Sequence, residues 1–221
     1  LRALRLYRSL GFQEEALARR SVIAGVSYQD EIDMGRLRPG FIPSGPEGDW
    51  PLPPRIPDPS LALSIRPLRR EDTPAIARIE ISHGVLENTV SLPSARERDF
   101  EKWYAGLDPY LEHSLVAEGA EEGCGSGQIL GLVNVHLSPS PSLRHKGVVG
   151  TMPAPEAQGL WVGGRLMAAM VAVADDWMAL ERLELVVFAR NSRARALYRS
   201  MGFEEDGVLV ASSKGSGAYL D

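Results

Sequence analysis

Between residues 163 and 178, Leu166, Met170, Val173, Ala174 and Trp177 fall at i, i+4, i+7, i+8 and i+11. That is one stripe of a 3.6-residue period, so the stretch is expected to be an amphipathic helix with this stripe in the core. A shorter helix is expected where Ala194, Leu197, Tyr198 and Met201 share a face, with Gly202 placed to end it. Asp72-Thr73-Pro74 supplies a cap and a first-turn proline for a third helix, with Ile76 and Ile79 turned inward. Phe100, Trp103 and Tyr104 give helical bulk to an otherwise mixed region, 84–112. Strand patterning runs through 63–68, 114–118, 128–137 and 145–152. Residues 182–189 (RLELVVFA) are rich in β-formers and predict a further, buried strand. Phe203 opens a last strand, and the KGSG turn at 214–217 begins a hairpin. The order β-α-(α)-β-β-β-α-β-α-β predicts an α/β protein, a central mixed sheet flanked by helices.

Self-similarity changes the reading of both ends. RALRLYRSLGF at 2–12 returns as RARALYRSMGF at 193–203, and the ungapped match at an offset of 191 keeps twelve of thirty positions identical. Glu14 falls on Glu205, Ser21 on Ser212, Tyr28 on Tyr219 and Asp30 on Asp221. Two unrelated amphipathic helices would share apolar spacing but not the following Gly-Phe and Tyr-x-Asp. The expectation is a window from a tandem protein: residues 1–37 the C-terminal remnant of one copy, residues 62–221 a second copy lacking its last strand. Residues 38–61 carry eight of the sixteen prolines and read as an extended linker. A missing strand leaves an open sheet edge, so residues 28–36 are expected to dock there, and pairing with the preceding copy or a homodimer follows as a partner expectation.

Charge and composition mostly exclude. With 24 Lys+Arg against 29 Asp+Glu, the net charge of −5 gives no pull towards nucleic acid or an anionic membrane. The arginines at 66, 69 and 70 read as solvated loop charges. No apolar run approaches the ~18 residues of a membrane span. A single cysteine, Cys124, offers neither a disulfide nor a metal cluster. The expectation is a cytoplasmic protein with no metal, no nucleic-acid partner and no membrane partner.

The chemistry concentrates at QGLWVGGRLM, residues 158–167, where a strand turns into the long helix. Glycines at 159, 163 and 164 let a ligand approach the backbone. The unpaired amides and positive dipole end of the helix form an anion site suited to a pyrophosphate. A tight structural turn would use the same glycines. There is no GxxxxGK[ST] loop and no GxGxxG fingerprint, so a nucleoside-triphosphate or dinucleotide site is disfavoured.

Residues 63–221 resemble the GCN5-related N-acetyltransferases (GNAT). The family's phosphate turn, [QR]-x-x-G-x-[GA], is occupied here by Gln158, Gly159, Leu160, Trp161, Val162 and Gly163. Its later pattern N-x-x-A-x-x-L-Y-x-x-x-G-F is met by Asn191, Ala194, Leu197, Tyr198, Gly202 and Phe203, and again at Ala3, Leu6, Tyr7, Gly11 and Phe12. Bacterial members that acetylate amino acids or small amines are similar also at Asn88, Thr89 and Pro93, at 175–177 and at 182–191. The resemblance implies the GNAT fold and transfer of acetyl from acetyl-CoA to a small amine or amino-acid acceptor. It implies amides of 159–164, Gly164 included, on the CoA pyrophosphate, with pantetheine in a V between strands 145–153 and 182–189, along Met152 and Pro153. Asn191 would touch the pantetheine arm, and Tyr198 would protonate the departing thiolate as the catalytic acid. Tyr198 filling a helix–sheet seam is the plainer alternative.

Four residues depart from the pattern, Pro155 among them by making the approach to the turn less typical. Trp161 stands where a glycine is usual, so an indole would crowd the phosphate or force the backbone out of a glycine-only conformation. Pro153 has no N–H to give pantetheine, a loss of roughly 0.5–1.5 kcal/mol. Glu156 would repel a phosphate. No acid marks the strand where a base is common, which leaves His136, His145 or water. A catalytically degenerate copy, scaffolding its twin or binding CoA without turnover, is the alternative function.

Overall fold

The computed structural model describes residues 2–24, 27–35, 62–120, 127–215 and 218–221. The linker 38–61, Cys124 and the 216–217 turn lie outside them. In chain order the elements are α1 (Arg2–Ser9), β1 (Gln13–Ala24), β2 (Ser27–Gly35), β3 (Leu63–Pro67), α2 (Thr73–Glu80), α3 (Glu97–Ala105), β4 (Glu112–Gly119) and β5 (Ile129–Leu137). Then come β6 (Lys146–Pro153), α4 (Val162–Asp176), β7 (Arg182–Glu184), α5 (Ser192–Ser200), β8 (Ser213–Gly215) and β9 (Ala218–Leu220). The chain divides into two compact units: one ends at Val186, and the other joins the N-terminal residues to those from Val187 onward.

The larger unit is a mixed five-stranded sheet, β3-β4-β5-β6-β7, antiparallel except for the parallel pair β6–β7. Its centre is β5, where Ile129–Val133 and Val135 are all buried, the continuous apolar run of a strand covered on both faces. Helices α2 and α4 pack against it. Ile76, Ala77 and Ile79 enter the core from α2, and Val162, Leu166, Met167, Met170 and Ala174 from α4. The expected stripe holds at Leu166, Met170 and Ala174 but fails at its end: Trp177 is 85% exposed. Trp177 is the C-cap of α4, already departing from helical geometry, so the 3.6 period no longer governs where its indole points.

A second correction concerns β7. The β-forming run at 182–189 pairs for only three residues, Lys146↔Arg182, Gly147↔Leu183 and Val148↔Glu184, and Val186 is 83% exposed. Composition predicted a buried strand; pairing stops because β6 and β7 part after Val148. The foot of this splay is pinned by charge. Glu184 accepts from Arg182 Nε at 2.7 Å and from Lys146 Nζ at 3.2 Å.

Arg66 is also not a solvated charge. Its guanidinium donates to both Asp72 carboxylate oxygens, at 2.8 and 2.9 Å, and through Nε to Glu118 at 2.7 Å. Asp72 further accepts the Arg69 amide at 2.8 Å. This joins β3, β4 and the entrance of α2.

In the smaller unit, β1 and β2 form an antiparallel hairpin, and β8 and β9 a second one. Docking of 28–36 on a sheet edge of the second copy is therefore corrected for the described residues: β2 pairs with β1, its neighbour in sequence, from Gln13↔Gly35 to Ala24↔Ser27. A hairpin partner a few residues away closes with far less loop entropy than a distant edge.

Candidate active site

The end of β6 and the start of α4 form one continuous strand–turn–helix. Antiparallel pairing fixes which way each β6 backbone group faces. Gly131 opposes Pro153, and the Ala154 amide donates to Leu130 O at 2.9 Å, so the backbone of Pro153 points away from β5. Alternation places the amides of Val149 and Thr151 on that same outer side, beyond the last β7 pair at Val148. Met152 faces inward with its backbone, opposite Leu132. The splayed edge thus offers two N–H donors where a non-proline residue at 153 would have given three. Proline is tolerated here because its nitrogen lies outside the ladder. The spacing of these donors was latent in the sequence, but only the register selects odd residues over even ones.

After Pro153 the chain makes a 3₁₀ turn, with Ala157, Gln158 and Leu160 amides donating to Ala154, Pro155 and Ala157 carbonyls at 2.9, 3.2 and 3.2 Å. Gly159 has φ +86°, the conformation for which glycine is suited. Trp161 follows at φ +63° and ψ +14°, left-handed and non-glycine. The expectation that the indole would force the backbone out of a glycine-only conformation is corrected here: Trp161 stays left-handed, at roughly 1–2 kcal/mol, because its ring finds a resting place on the helix. Its side chain folds back on the helix. A Cβ on Gly164 would lie 2.5 Å from Trp161 Cε2 and 2.8 Å from Nε1, so Gly164 is the floor on which the indole rests. That second role for Gly164 is invisible in a motif written around position 161.

The first helical hydrogen bond of α4 runs from the Arg165 amide to Trp161 O at 3.0 Å, so the amides of Val162, Gly163 and Gly164 precede the helical ladder. The first turn carries no acidic residue, and Trp161 provides no side-chain cap. Glu156, expected to repel a phosphate, accepts from Gln128 Nε2 at 2.8 Å. The donor set at the start of α4 fits a bound diphosphate, while Glu156, held by an uncharged amide, keeps its negative charge nearby.

Asn191 and Tyr198 belong to the other unit. Asn191 caps α5: its Oδ1 accepts the Ala194 amide at 3.1 Å. Tyr198 is buried and meets Phe203 edge-on, with ring centroids 5.9 Å apart, while Gly202 at φ +88° turns the chain between them. Burial pushes the Tyr198 phenol above its ordinary pKa. Of the candidate bases, His145 is buried at the foot of β6, and His136 is half-exposed with Nδ1 3.2 Å from Glu112 Oε1.

Residues 78–203 match the acetyltransferase (GNAT) family pattern. The chain belongs to the GNAT family. It is 27% identical to the L-amino acid N-acetyltransferase AaaT of Escherichia coli over 159 residues, 72% of this chain and 93% of that protein. The fold is that of solved GNAT enzymes. Ribosomal-protein-alanine N-acetyltransferase from Brucella melitensis is similar at a TM-score of 0.61 and 25% identity, over 71% of this chain and 94% of that one. Spermidine N-acetyltransferase from Vibrio cholerae, solved in complex with CoA and spermine, gives a TM-score of 0.63 at 23% identity, covering 72% and 90%. This GNAT chain is an acyltransferase. Among its described residues no cluster of His, Cys, Asp and Glu could hold a metal ion, and no helix is long and apolar enough to cross a membrane.

Proposed function

We propose that the protein transfers an acetyl group from acetyl-CoA to the amino group of a free amino acid or small amine. The observation that carries this reading is the turn 158–164, where the amides of Val162, Gly163 and Gly164 precede the α4 ladder and the first helical turn holds no acidic residue. Acetyl-CoA supplies an activated thioester. Of the amides of 159–164, those not bonded within the turn, Gly159 and 161–164, hold its pyrophosphate through hydrogen bonds and the helix dipole. The outward amides of Val149 and Thr151 pair with the pantetheine arm as a strand would, and the amide nitrogen of Asn191 adds a donor. Tyr198 keeps its proton at Oη, because burial disfavours the phenolate, and yields it to the departing sulfur. The acceptor is read from relatives named for an L-amino acid, a ribosomal-protein alanine and spermidine, and 84–112 is the region assigned to shape its pocket. A cytoplasmic setting belongs to the same reading.

A thiol-release assay over amino acids and polyamines tests it. Wild type should release CoA with at least one acceptor, and Tyr198→Phe should lower kcat by about 10²-fold or more while leaving acetyl-CoA affinity within a few-fold. No heat of binding at millimolar acetyl-CoA would overturn the reading.

Two observations favour a second reading, a copy that binds CoA without turnover: the Trp161 indole lies on Gly164, and Pro153 removes a donor from the splayed edge. Acetyl-CoA binding with no thiol release from any acceptor would select it.

A further inference from the structure

Residues 2–30 and 193–221 repeat in geometry as well as in sequence. Tyr7 and Phe12 meet with centroids 5.9 Å apart, as Tyr198 and Phe203 do. The Phe12 amide donates to Tyr7 O at 3.1 Å and the Phe203 amide to Tyr198 O at 3.1 Å. Gly11 and Gly202 have φ of +86° and +88°, and Arg8–Glu14 and Arg199–Glu205 are both ion pairs. Further on, Arg20 and Ala211 share a left-handed φ of +53° and +52°, and their amides donate to Asp30 and Asp221 carboxylates. Even the hairpin register transfers, Val22↔Gln29 matching Ser213↔Leu220.

Against this background one contact has a symmetry. Ala16 bridges Gly207 in antiparallel pairing, with the Leu17 amide donating to Asp206 O at 3.4 Å. Gly207 is the position equivalent to Ala16 at the same offset of 191. An antiparallel contact in which a residue meets its own equivalent is what a local two-fold axis produces. Glycine at 207 permits it: a Cβ there would run into Glu15 O, lie 2.7 Å from Ala16 Cα and 2.8 Å from Ala16 Cβ. Position 207 must therefore lack a Cβ, since the first atoms it would meet are backbone. A second Ala16 strand in that place would clash, whereas the Gly207 strand fits, which selects the unlike pair over one like pair.

We propose that residues 13–18 are the in-chain partner strand of residues 204–209, so that the two copies form an intramolecular pseudo-dimer about an axis between Ala16 and Gly207. The N-terminal copy then braces the module bearing Asn191 and Tyr198, in place of a second chain. This stands on the repeat and is independent of the acetyltransferase reading.

Amide exchange on the full chain tests it, with Val133 and Val135 as internal reporters of folding. The Leu17 amide should be protected in wild type at every protein concentration. Gly207→Ala should speed its exchange about tenfold or more, the central reporters unchanged. Adding Ala16→Gly to Gly207→Ala should not restore protection, because Glu15 O and the Cα of residue 16 still meet the new Cβ, whereas Ala16→Gly alone should keep protection within about threefold of wild type. Leu17 exchanging at the free-chain rate in wild type overturns the proposal, as does a Gly207→Ala variant that exchanges like wild type. Protection that fades on dilution also overturns it, by assigning the strand to a second chain.

Discussion

Two helices in the sheet-bearing unit begin in opposite ways. Helix α2 enters beside a carboxylate: Asp72, 4% exposed, is held by both arms of Arg66 and by the Arg69 amide. Helix α4 enters with no acid in its first turn and no side-chain cap, with a left-handed tryptophan and two buried glycines. The first N-terminus is neutralised by the protein itself and serves stability. The second leaves its dipole without an acidic partner in the first turn and tolerates backbone strain, as the proposed diphosphate site requires. Two helix starts in one unit thus differ in whether the chain supplies the negative charge itself.

The comparison breaks most severely at Arg66. Arg66→Met should lower unfolding free energy by about 3–5 kcal/mol in urea denaturation, because it leaves the buried Asp72 carboxylate without its partner. A loss under about 1 kcal/mol would put this network in the class of weak surface pairs. At the other helix, Gly164→Ala brings a Cβ against the indole and should cost about 1–3 kcal/mol, with a shift in tryptophan emission marking the displaced ring. Unchanged emission and stability would show that the indole does not rest there.

Acid titration sharpens the contrast. Arg66 hydrogen bonding holds Glu118 below the ordinary carboxylate range. For Asp72, burial pushes upward, but the Arg66 and Arg69 hydrogen bonds outweigh it and the net shift is down. Groups with lowered folded pKa stabilise fully above their unfolded values and lose that contribution as pH falls through the folded ones. Stability should therefore drain as pH drops below about 4, and Arg66→Met should flatten that acid limb. The smallest effect belongs to Trp161→Gly. Relief of left-handed strain, about 1–2 kcal/mol, is offset by lost indole contact, so net stability should stay within about 1 kcal/mol of wild type. A loss above about 3 kcal/mol would make the indole a core element.

Much of the fold was legible because short-range rules governed it. Leu166, Met170 and Ala174 obey the helical period, and Asp72-Thr73-Pro74 does open a helix. The candidate site was legible as a motif, Gln158 to Gly164 and Asn191 to Phe203, but not as geometry. Nothing in RLELVVFA announces that pairing ends at Glu184, since strand length depends on a partner 36 residues away, Glu184 pairing with Val148. Nor does a proline at 153 reveal which side of β6 its nitrogen faces; the register with Gly131 decides that.

By itself, then, the order of residues determined the helices, the glycine-rich bend, the duplicated 30-residue pattern and the family, all properties carried by local spacing. Only the folded chain decided where Arg66 finds its two carboxylates, that the Trp161 ring lies on Gly164, and that Ala16 meets Gly207. Those are contacts between residues distant in sequence or choices of rotamer and register. They follow from packing and pairing energies summed over the whole structure, which no local pattern encodes.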